Sequence, residues 1–390
     1  KRQVMNAIHW FEAKQLDRVT NYSSRTECIK NVLDFDGELY YYCSFSEKKE
    51  YYSFDKNIVY LGRIKNKFLK FLEFRLLIIF KTLQLVVGSD SNVLMCNQDL
   101  VKYLKPAIFL NKLLGKNNKF VLDVRTLPTV PETFEKDMVQ YQRQIKHACK
   151  SFDGLSFITP FLEKVSLSGN NGEIPTVNWS SGVNIDLFDA DRYDYTRDTK
   201  AFRIFYHGGI SHSRGNMDLI KACEIIAQKG YSIELVQIGK IVDKDLKTYI
   251  SKKGIGHWCK LCDAKPLSDM PAMVARCDLP VLPFPNFMAW RVSSPIKLME
   301  YLAMGKPVLA PDMECFTDIL DKNSDMVYYY DMNNEHVVEE IANAIIHIIE
   351  QRDNTNAFIK NQVCIDYVKE KFTWKAQVHH LYKFCNKLCQ

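Results

Sequence analysis

The 390-residue sequence has no apolar run long enough to cross a membrane. Its most apolar stretch, "FLEFRLLIIFKTLQLVVG", is interrupted by Glu73, Arg75 and Lys81, whereas a spanning helix needs about 20 mostly apolar residues. The first residues, "KRQVMNAIHWFEAKQ", lack the apolar core and cleavage site of a secretory signal peptide. We therefore expect a cytoplasmic globular protein, for which any peripheral membrane contact would be at the inner face.

The sequence also lacks a strong excess of either charge, because its net charge is only +6. Its basic residues are dispersed along the chain and form no stripe, so nucleic-acid binding is not expected. A mild positive charge of this size favours anionic ligands or an anionic membrane surface.

Twelve cysteines are spread along the whole chain, and many of them lie inside apolar runs, as Cys96, Cys223 and Cys277 do. This distribution favours reduced, buried thiols over a disulfide framework. One CxxC pair, Cys259 and Cys262, has no full set of zinc ligands at a workable spacing. We therefore predict no metal site at this pair.

Short apolar strands alternate with helical stretches, the pattern of a mostly parallel sheet covered on both faces. The alternation stops at the charged segment "VNIDLFDADRYDYTRDTK" and then restarts. We therefore predict an α/β fold with two doubly wound, Rossmann-like domains, residues 1–188 and 189–370. Residues 371–390 are predicted to form a helix that packs back on one domain, with the N-terminal domain as the candidate. In such sheets, ligands bind at the carboxyl ends of the strands.

The segment "SSPIKLMEYLAMGKPVLA", residues 293–310, is predicted to be a helix followed by a buried strand. Ser294 is a suitable N-cap and Pro295 suits the first helical position. Lys297 then lies at the positive end of the helix dipole, which is unfavourable unless an anion binds the first-turn amides. The alternative is a solvent-exposed pair between Lys297 and Glu300, one turn along the helix.

A second candidate anion site is "FYHGGISHSRGNMDLI", where a strand ends and a helix follows. Gly208 and Gly209 permit a tight turn whose amides can approach a phosphate, and Arg214 adds a fixed charge. The GxGxxG and Walker patterns are absent. The alternative is an ordinary glycine turn with a surface arginine. Together, the two segments are able to hold a diphosphate without metal, leaving Glu300 to bind ribose hydroxyls.

Both segments resemble those of the family 4 glycosyltransferases, the group 1 type, which are retaining enzymes of the GT-B fold. "SSPIKLMEYLAMGKPVLA" resembles the donor-site segment of that family, and "GGISHSRGNMDLIKA" resembles its phosphate loop. "WSSGVNIDLFDADRY" is similar to the segment that leaves the first domain. The resemblance implies two Rossmann-like domains that face each other across a cleft. The first would lie on the acceptor side, and the second would bind the nucleotide sugar.

The resemblance also implies roles for individual residues. Glu300 corresponds to the second glutamate of the family motif, which holds the ribose, and Arg214 corresponds to the basic residue on the diphosphate. Lys297, Ser293 and Ser294 correspond to the stretch around the phosphates and the donor sugar.

The sequence departs from the family pattern at three places. Val292 replaces the first glutamate of the motif, and Gly208 and Gly209 replace the arginine that often precedes the basic residue of the phosphate loop. Arg125 stands where the family has a first-domain histidine. We predict that Asp123 and Arg125, which follow a first-domain strand, face the acceptor or the donor sugar.

The implied reaction is a metal-independent transfer of a hexose from a nucleotide-diphosphate sugar, with retained anomeric configuration and no cofactor. The acceptor would be a glycan, a lipid-linked molecule or a small molecule in cell-surface polysaccharide or glycoconjugate synthesis. Two matches to the metal-holding DxD motif, Asp189–Asp191 and Asp34–Asp36, lie in a linker and a charged turn. We interpret both as solvated carboxylates.

Two other functions stay open at this stage. One is a sugar-nucleotide-binding protein that has lost catalysis, which would be consistent with Val292 and Arg125. The other is a UDP-sugar 2-epimerase on the same two-domain plan, which would need acid and base groups such as the carboxylates of "DVRTLPTVPE".

The basic, aromatic segment from Phe68 to Lys81 has two interpretations. Its apolar face is either buried against the sheet, with a solvated basic edge, or it rests on anionic lipid near a lipid-linked acceptor.

Overall fold

The computed structural model describes residues 5–13, 19–44, 55–64, 66–169, 173–196, 200–351 and 360–390. The chain divides into two compact units. Unit 1 comprises Lys1–Ser180 with Trp374–Gln390, and unit 2 comprises Ser181–Thr373. The chain passes from unit 1 to unit 2 a few residues before the predicted boundary between residues 188 and 189. It returns to unit 1 a few residues after the predicted boundary at residue 370.

Unit 1 contains a seven-stranded parallel sheet of order β3-β2-β1-β4-β5-β6-β7. Its central strands are buried along their whole length, so they are apolar on both faces, as is usual for a parallel sheet covered on both sides. The strands are β1 (Ile8–Phe11), β2 (Leu39–Ser44), β3 (Ile58–Leu61), β4 (Val93–Cys96), β5 (Lys119–Val124), β6 (Gly154–Phe157) and β7 (Thr176–Asn178).

Five helices connect these strands: α1 (Val19–Leu33), α2 (Lys67–Gly88), α3 (Lys105–Leu113), α4 (Phe134–Ser151) and α5 (Pro160–Leu167). Between β4 and β5 the chain forms a 3₁₀ helix, Gln98–Tyr103, followed by α3. Pro106 explains the break, since proline has no N–H to donate and restricts the residue before it.

Unit 2 contains a four-stranded parallel sheet of order β10-β9-β8-β11 and a parallel pair, β12-β13. A parallel bridge between Val281 and Leu309 connects the two sheets. The strands are β8 (Phe202–His207), β9 (Ile233–Ile238), β10 (Cys259–Cys262), β11 (Leu279–Pro280), β12 (Val308–Pro311) and β13 (Val327–Tyr330).

The helices of unit 2 enclose a large apolar core built on both faces of these strands. They are α6 (Asn216–Gln228), α7 (Asp245–Lys253), α8 (Met270–Ala275), α9 (Met288–Arg291), α10 (Ile296–Ala303), α11 (Glu314–Thr317), α12 (Val337–Gln351) and α13 (Gln362–Lys371).

The helix predicted within residues 371–390 is α14 (Trp374–Cys389), and a separate helix, α13, precedes it. The chain leaves the helix at Phe372 and Thr373, where Thr373 forms a parallel bridge to Val183. After that point α14 belongs to unit 1, and it packs against α1 with Val378, Leu381 and neighbouring side chains in the core.

All twelve cysteines are free thiols, and ten of them are buried. Within the described parts of the chain, no helix is both long enough and apolar enough to span a bilayer. Lys65, one of the basic residues preceding α2, lies outside the described residues.

Candidate functional site

The turn after β8 brings the backbone of Gly208 against the side chain of Lys297. Gly208 has a φ of 138°, a conformation that residues with a side chain rarely adopt. A Cβ on Gly208 would lie 2.9 Å from Cε of Lys297, and a Cβ on Gly239 would lie 1.7 Å from the carbonyl oxygen of Gly208. Glycine at both positions therefore allows the turn, the next strand end and the lysine to approach closely. Gly209 has open space around its Cα.

Helix α10 begins one residue later than predicted. Pro295 is the N-cap, with an extended ψ of 103°, and Ile296 is the first helical residue. Ser294 does not cap the helix, because its Oγ accepts a hydrogen bond from the amide of Ser181 at 3.1 Å. Lys297 nevertheless lies in the first turn of α10, as the dipole argument requires, and that turn contains no acidic residue.

Lys297 is partly buried and has two charged neighbours. Burial lowers the pKa of the Lys297 ammonium, Glu300 partly offsets this, and the positive charge of Arg214 lowers it further. Two cations thus lie close enough to affect each other, and no ion pair neutralises either of them within the described parts of the chain. This arrangement is suited to an anion with more than one negative charge.

Glu300 forms a buried ion-pair contact with His207, the last residue of β8. The Nε2 atom of His207 lies 2.7 Å from a carboxylate oxygen of Glu300, and the Tyr301 hydroxyl accepts a hydrogen bond from the His207 amide at 3.0 Å. An ionised carboxylate only accepts, so Nε2 carries the proton. The alternative of an exposed Lys297–Glu300 pair is therefore wrong, because Glu300 is only 6% exposed.

The surroundings of Glu300 keep it ionised. Burial alone would raise the pKa of Glu300, but the hydrogen bond from His207 and the charges of His207 and Lys297 outweigh it and lower the pKa. His207 has its second ring nitrogen, Nδ1, buried without a hydrogen-bond partner. Glu300 can thus accept hydrogen bonds from a ligand as a carboxylate at neutral pH.

Arg214 ends a 3₁₀ helix, His212–Arg214, immediately before Gly215 in the left-handed conformation. Its guanidinium lies 4.2 Å from the ring centroid of Trp290 and 5.7 Å from that of Phe284. The indole N–H of Trp290 in turn donates to the Ser213 carbonyl at 2.8 Å. These contacts hold the guanidinium in place by cation–π attraction before any ligand binds. Arg214 is only partly buried, so the alternative of a glycine turn with a surface arginine stays open.

The segment before α10 is held by local contacts. The hydroxyl of Ser293 donates to the Trp290 carbonyl at 2.7 Å. Val292, which stands at the position of the first motif glutamate, is fully buried in the apolar surroundings of α9. A carboxylate at this position would lose its hydration, so valine fits the packing that this chain has built there.

Asp123 and Arg125 lie in unit 1 and interact chiefly with other protein groups. Asp123 is fully buried, accepts a hydrogen bond from Ser156 Oγ at 2.7 Å, and lies 4.0 Å from Arg125 Nη1. Burial raises the pKa of Asp123 and lowers the pKa of Arg125. Arg125 donates to the Trp179 carbonyl at 2.9 Å and lies over its ring at 4.0 Å.

This position requires a correction for Asp123. We expected its carboxylate to face the acceptor or the donor sugar, but it has no exposed surface with which to contact either. Arg125 keeps a small exposed fraction, 13% of its side chain, and the predicted contact with a sugar remains a prediction for it.

The two DxD matches occupy local turns. Asp189 accepts from the amide of Asp191 and pairs with Arg192 at 2.9 Å, while Asp191 pairs with Lys360. Among the described residues, no group of three or more histidine, cysteine or acidic side chains is arranged to hold a metal ion.

Two residues of the site were not singled out by sequence reasoning. His207 and Trp290 contact Glu300 and Arg214 respectively, across large separations in sequence. The available signal for His207 was its place at the end of β8, where ligands bind in parallel sheets. Trp290 carried no comparable signal.

Residues 188–363 match the family model of the glycosyl transferases of group 1. The chain is similar in structure to a glycosyltransferase from Rickettsia africae, with a TM-score of 0.71 and 14% identity over 99% of both chains. It is also similar to Anabaena HepE in complex with UDP and glucose, with a TM-score of 0.68 and 13% identity over 97% of this chain and 98% of that one. The corresponding values for sucrose-phosphate synthase from Thermosynechococcus elongatus are 0.71 and 13%, over 98% and 99%. None of the curated proteins matches the sequence.

The fold is that of the GT-B glycosyltransferases, with parallel Rossmann-like sheets, as predicted. The part of the chain that matches the group 1 glycosyl transferase model, residues 188–363, carries Gly208, Arg214, Lys297 and Glu300. The resemblance to group 1 glycosyltransferases of the GT-B fold is thereby confirmed, whereas the retaining mechanism and the residue roles stay predictions.

Proposed function

We propose that the protein is a retaining, metal-independent glycosyltransferase that uses a nucleotide-diphosphate sugar as donor. The observation that carries the proposal is the meeting of Lys297 with the Gly208 turn, beside Arg214 and the Glu300–His207 pair. Two cations, a glycine turn and a helix start on one side of a sheet form a site for a diphosphate. HepE, which has the same fold, was crystallised with UDP and with UDP-glucose.

The donor side of the reaction follows from these charges. Negative charge builds on the diphosphate as the bond to the sugar breaks, and fixed cations stabilise it best where water is excluded. Lys297 and Arg214 supply that charge, while Ser293 and Ser294 lie in the segment beside the phosphates and the sugar. Glu300, held by His207, accepts hydrogen bonds from the ribose hydroxyls. The departing phosphate takes the proton of the acceptor hydroxyl, which is consistent with retained configuration without a carboxylate nucleophile.

The proposal is tested first by donor binding. UDP-, GDP-, ADP- and TDP-sugars are compared by thermal shift, since a ligand at 100 times its dissociation constant stabilises the folded state by about 2.7 kcal/mol. We expect one nucleotide series to raise the melting temperature clearly. If no member of the four series does so at millimolar concentration, the proposed donor site is wrong.

Catalysis is tested with the donor found in that screen. Transfer to an acceptor, or slow hydrolysis of the donor, should continue in excess chelator, and the product should keep the anomeric configuration of the donor. Binding without either reaction would instead support the alternative of an inactive sugar-nucleotide-binding protein. Epimerisation of the donor sugar without transfer would instead support the epimerase alternative.

Replacing Lys297 should affect catalysis and folding stability in different directions. Because burial of its ammonium is unfavourable to the folded state, Lys297→Met should leave the melting temperature unchanged or raise it. The same variant should lower turnover by about a hundredfold or more, the usual cost of one fixed group that stabilises developing charge. Lys252→Met, at an exposed position of α7, is the matched control and should leave both quantities unchanged. Equal turnover in the two variants would remove Lys297 from the mechanism.

Peripheral contact with an anionic membrane is a further part of the proposal. The inner face of α2 is buried through Phe74 and Ile78, as expected of a domain helix, but its outer face exposes Phe68, Leu72, Leu76 and Phe80. These four apolar side chains recur every four residues, so they form one row along the helix. A glycan or lipid-linked acceptor at a membrane surface would suit such a row. Co-sedimentation with anionic but not zwitterionic vesicles is the expected result.

A further inference from the structure

Unit 1 contains a cavity of about 490 Å³ between α2, the 3₁₀ helix Gln98–Tyr103, α3 and α4. Four of the side chains that line it are permanently positive at neutral pH, and one is negative. The cations are Arg75, Lys102, Lys105 and Arg143, and the carboxylate is Asp99. The lining of the cavity therefore carries an excess of positive charge.

The cations of the cavity are not neutralised by carboxylates of the described residues. Within the described parts of the chain, none of the four forms an ion pair. The Nε atom of Arg75 is buried and has no hydrogen-bond partner, and the same is true of Nε2 of His147, which also lines the cavity. Buried polar atoms usually have a hydrogen-bond partner, so these two nitrogens are candidates to bind a ligand in the cavity.

His147 reports on the charge in this cavity. Burial lowers the pKa of His147, and the positive charges of Lys105 and Lys150 lower it further. The imidazole is therefore neutral at neutral pH in the empty cavity. An anion bound beside it would favour the protonated ring and raise its pKa.

Two aromatic contacts fix the direction of the cations. The guanidinium of Arg75 lies 5.8 Å from the ring centroid of Tyr103, and the ammonium of Lys102 lies 5.0 Å from the same ring. Cation–π attraction of this kind holds both groups near the cavity at a low entropic cost of binding.

The helices that supply these cations also carry exposed apolar side chains one turn away. On α2, Leu72 lies three residues before Arg75 and is exposed. On α3, Phe109 lies four residues after Lys105 and is 70% exposed. Residues three or four apart are neighbours on a helix surface, so the charged cavity borders the apolar surface. A ligand that satisfies both has an anionic head and a hydrocarbon tail.

We propose that this cavity binds the phosphate group of a membrane lipid, whose hydrocarbon chains lie against the exposed apolar residues of α2 and α3. Arg75 and Lys105 donate to the phosphate oxygens from two helices, and His147 donates from α4. A phosphate matches a cavity with several cations better than a carboxylate does, because it offers three or four acceptor oxygens.

A second cavity relates this site to the sheet. It has a volume of about 270 Å³ and continues to Thr126 and Leu127, and the residues that it shares with the first cavity are Gln98, Asp99, Gln140 and Gln144. Thr126 and Leu127 follow β5 at its carboxyl end, where ligands of parallel sheets bind. If the proposed function holds, the acceptor of the sugar is itself a lipid that carries a phosphate group.

The experiment measures binding alone, so its outcome is independent of sugar transfer. The full chain, labelled at histidine, is titrated with dihexanoyl phosphatidic acid below its micelle concentration, with dihexanoyl phosphatidylcholine and with inorganic phosphate. We expect the phosphatidic acid to shift the ring signals of His147 and raise its pKa. Inorganic phosphate should shift the same signals with lower affinity, and the phosphatidylcholine should not shift them.

A matched pair of double variants distinguishes binding in the cavity from nonspecific attraction to the positive charge of the protein surface. Arg75→Gln with Lys105→Gln should weaken the binding of phosphatidic acid by about tenfold or more, since two charge-assisted hydrogen bonds are lost. Lys112→Gln with Lys116→Gln removes the same charge outside the cavity and should change the affinity less than twofold, about the effect of screened surface charges. Melting temperatures confirm that both variants fold.

Three results would overturn the proposal. The first is the absence of any shift at His147 with phosphatidic acid. The second is equal weakening in the two variants, which would indicate nonspecific attraction. The third is equal affinity for inorganic phosphate and phosphatidic acid. That result would show that the hydrocarbon chains do not contribute to binding and that the ligand is not a lipid.

Discussion

At the scale of single residues, the donor site depends on one backbone conformation. Gly208 combines a positive φ with direct contact to the Lys297 side chain, whereas Gly209 beside it has neither constraint. The two glycines can therefore be compared directly. An added methyl group is strained and crowded at Gly208 but has open space at Gly209.

Gly208→Ala should therefore destabilise the protein by about 1–3 kcal/mol, the usual cost of a strained backbone position, and weaken nucleotide binding by displacing Lys297. Gly209→Ala should change stability by less than about 0.5 kcal/mol, as at most unconstrained positions. Chemical denaturation and calorimetric titration with the nucleotide measure the two quantities. Similar losses in both variants would show that the tight approach to Lys297 is not important.

The ionised state of Glu300 contributes to stability in a defined pH range. Its pKa is lowered in the folded state, so the contribution is present above the unfolded pKa and is lost as the pH falls through the folded pKa. Glu300→Gln keeps an acceptor for His207 but removes the charge. The variant should therefore be less stable than the wild type at pH 7, and this difference should shrink towards pH 3.

Melting temperatures of both proteins between pH 7 and pH 3 measure this effect. Glu163→Gln, at a carboxylate of α5 in unit 1, serves as a comparison outside the site. A constant difference between wild type and Glu300→Gln across the range would mean that the charge of Glu300 is not coupled to folding.

At the scale of the elements, α9 acts as a support for the phosphate loop. Trp290 both stacks on the Arg214 guanidinium and donates to the Ser213 carbonyl, so one side chain fixes the loop and its charge. A short helix between β11 and α10 thereby connects the two segments that we propose to bind the diphosphate.

Trp290→Phe keeps an aromatic face but loses the indole N–H, and Trp290→Leu loses both. We expect nucleotide affinity to fall in the order wild type, Trp290→Phe, Trp290→Leu, with the cation–π part contributing about 0.5–2 kcal/mol. Calorimetric titration gives the three affinities. Equal affinities in Trp290→Phe and Trp290→Leu would mean that the stacking on Arg214 does not matter for binding.

The alternation of apolar runs was sufficient to predict most of these elements, because buried parallel strands and their helices carry strong local patterns. It was insufficient where a long-range contact decides the local structure. Ser294 is a residue type suited to an N-cap, but its hydroxyl accepts a hydrogen bond from the amide of Ser181. The helix begins one residue later, with Pro295 as the cap. The site was similar: Lys297 was detectable from its place in α10, whereas the contact of His207 with Glu300 depends on the folded chain.

At the scale of the whole molecule, unit 1 is built from two separate parts of the sequence. Helix α14 contributes Val378, Leu381 and Cys385 to the same core as Trp10 and Trp179. The core of unit 2 contains none of these residues.

Leu381→Ala should therefore lower the stability of unit 1 by about 2–5 kcal/mol, the usual cost of a buried leucine, and leave unit 2 unchanged. Calorimetry should show one transition that moves and one that does not, and the nucleotide should still stabilise the second. The exposed neighbour Lys383→Ala should move neither transition. If both transitions shift together in Leu381→Ala, the two units do not unfold separately.

The return of the chain to unit 1 at Trp374 also sets an order of events during synthesis. Residues 181–373 leave the ribosome as a continuous stretch and have all the strands of their own sheets. The earlier-made unit must wait until α14 has emerged before its last apolar surface is covered. During that interval the nascent chain exposes an apolar surface between α1 and the sheet. We expect a chaperone to bind this surface.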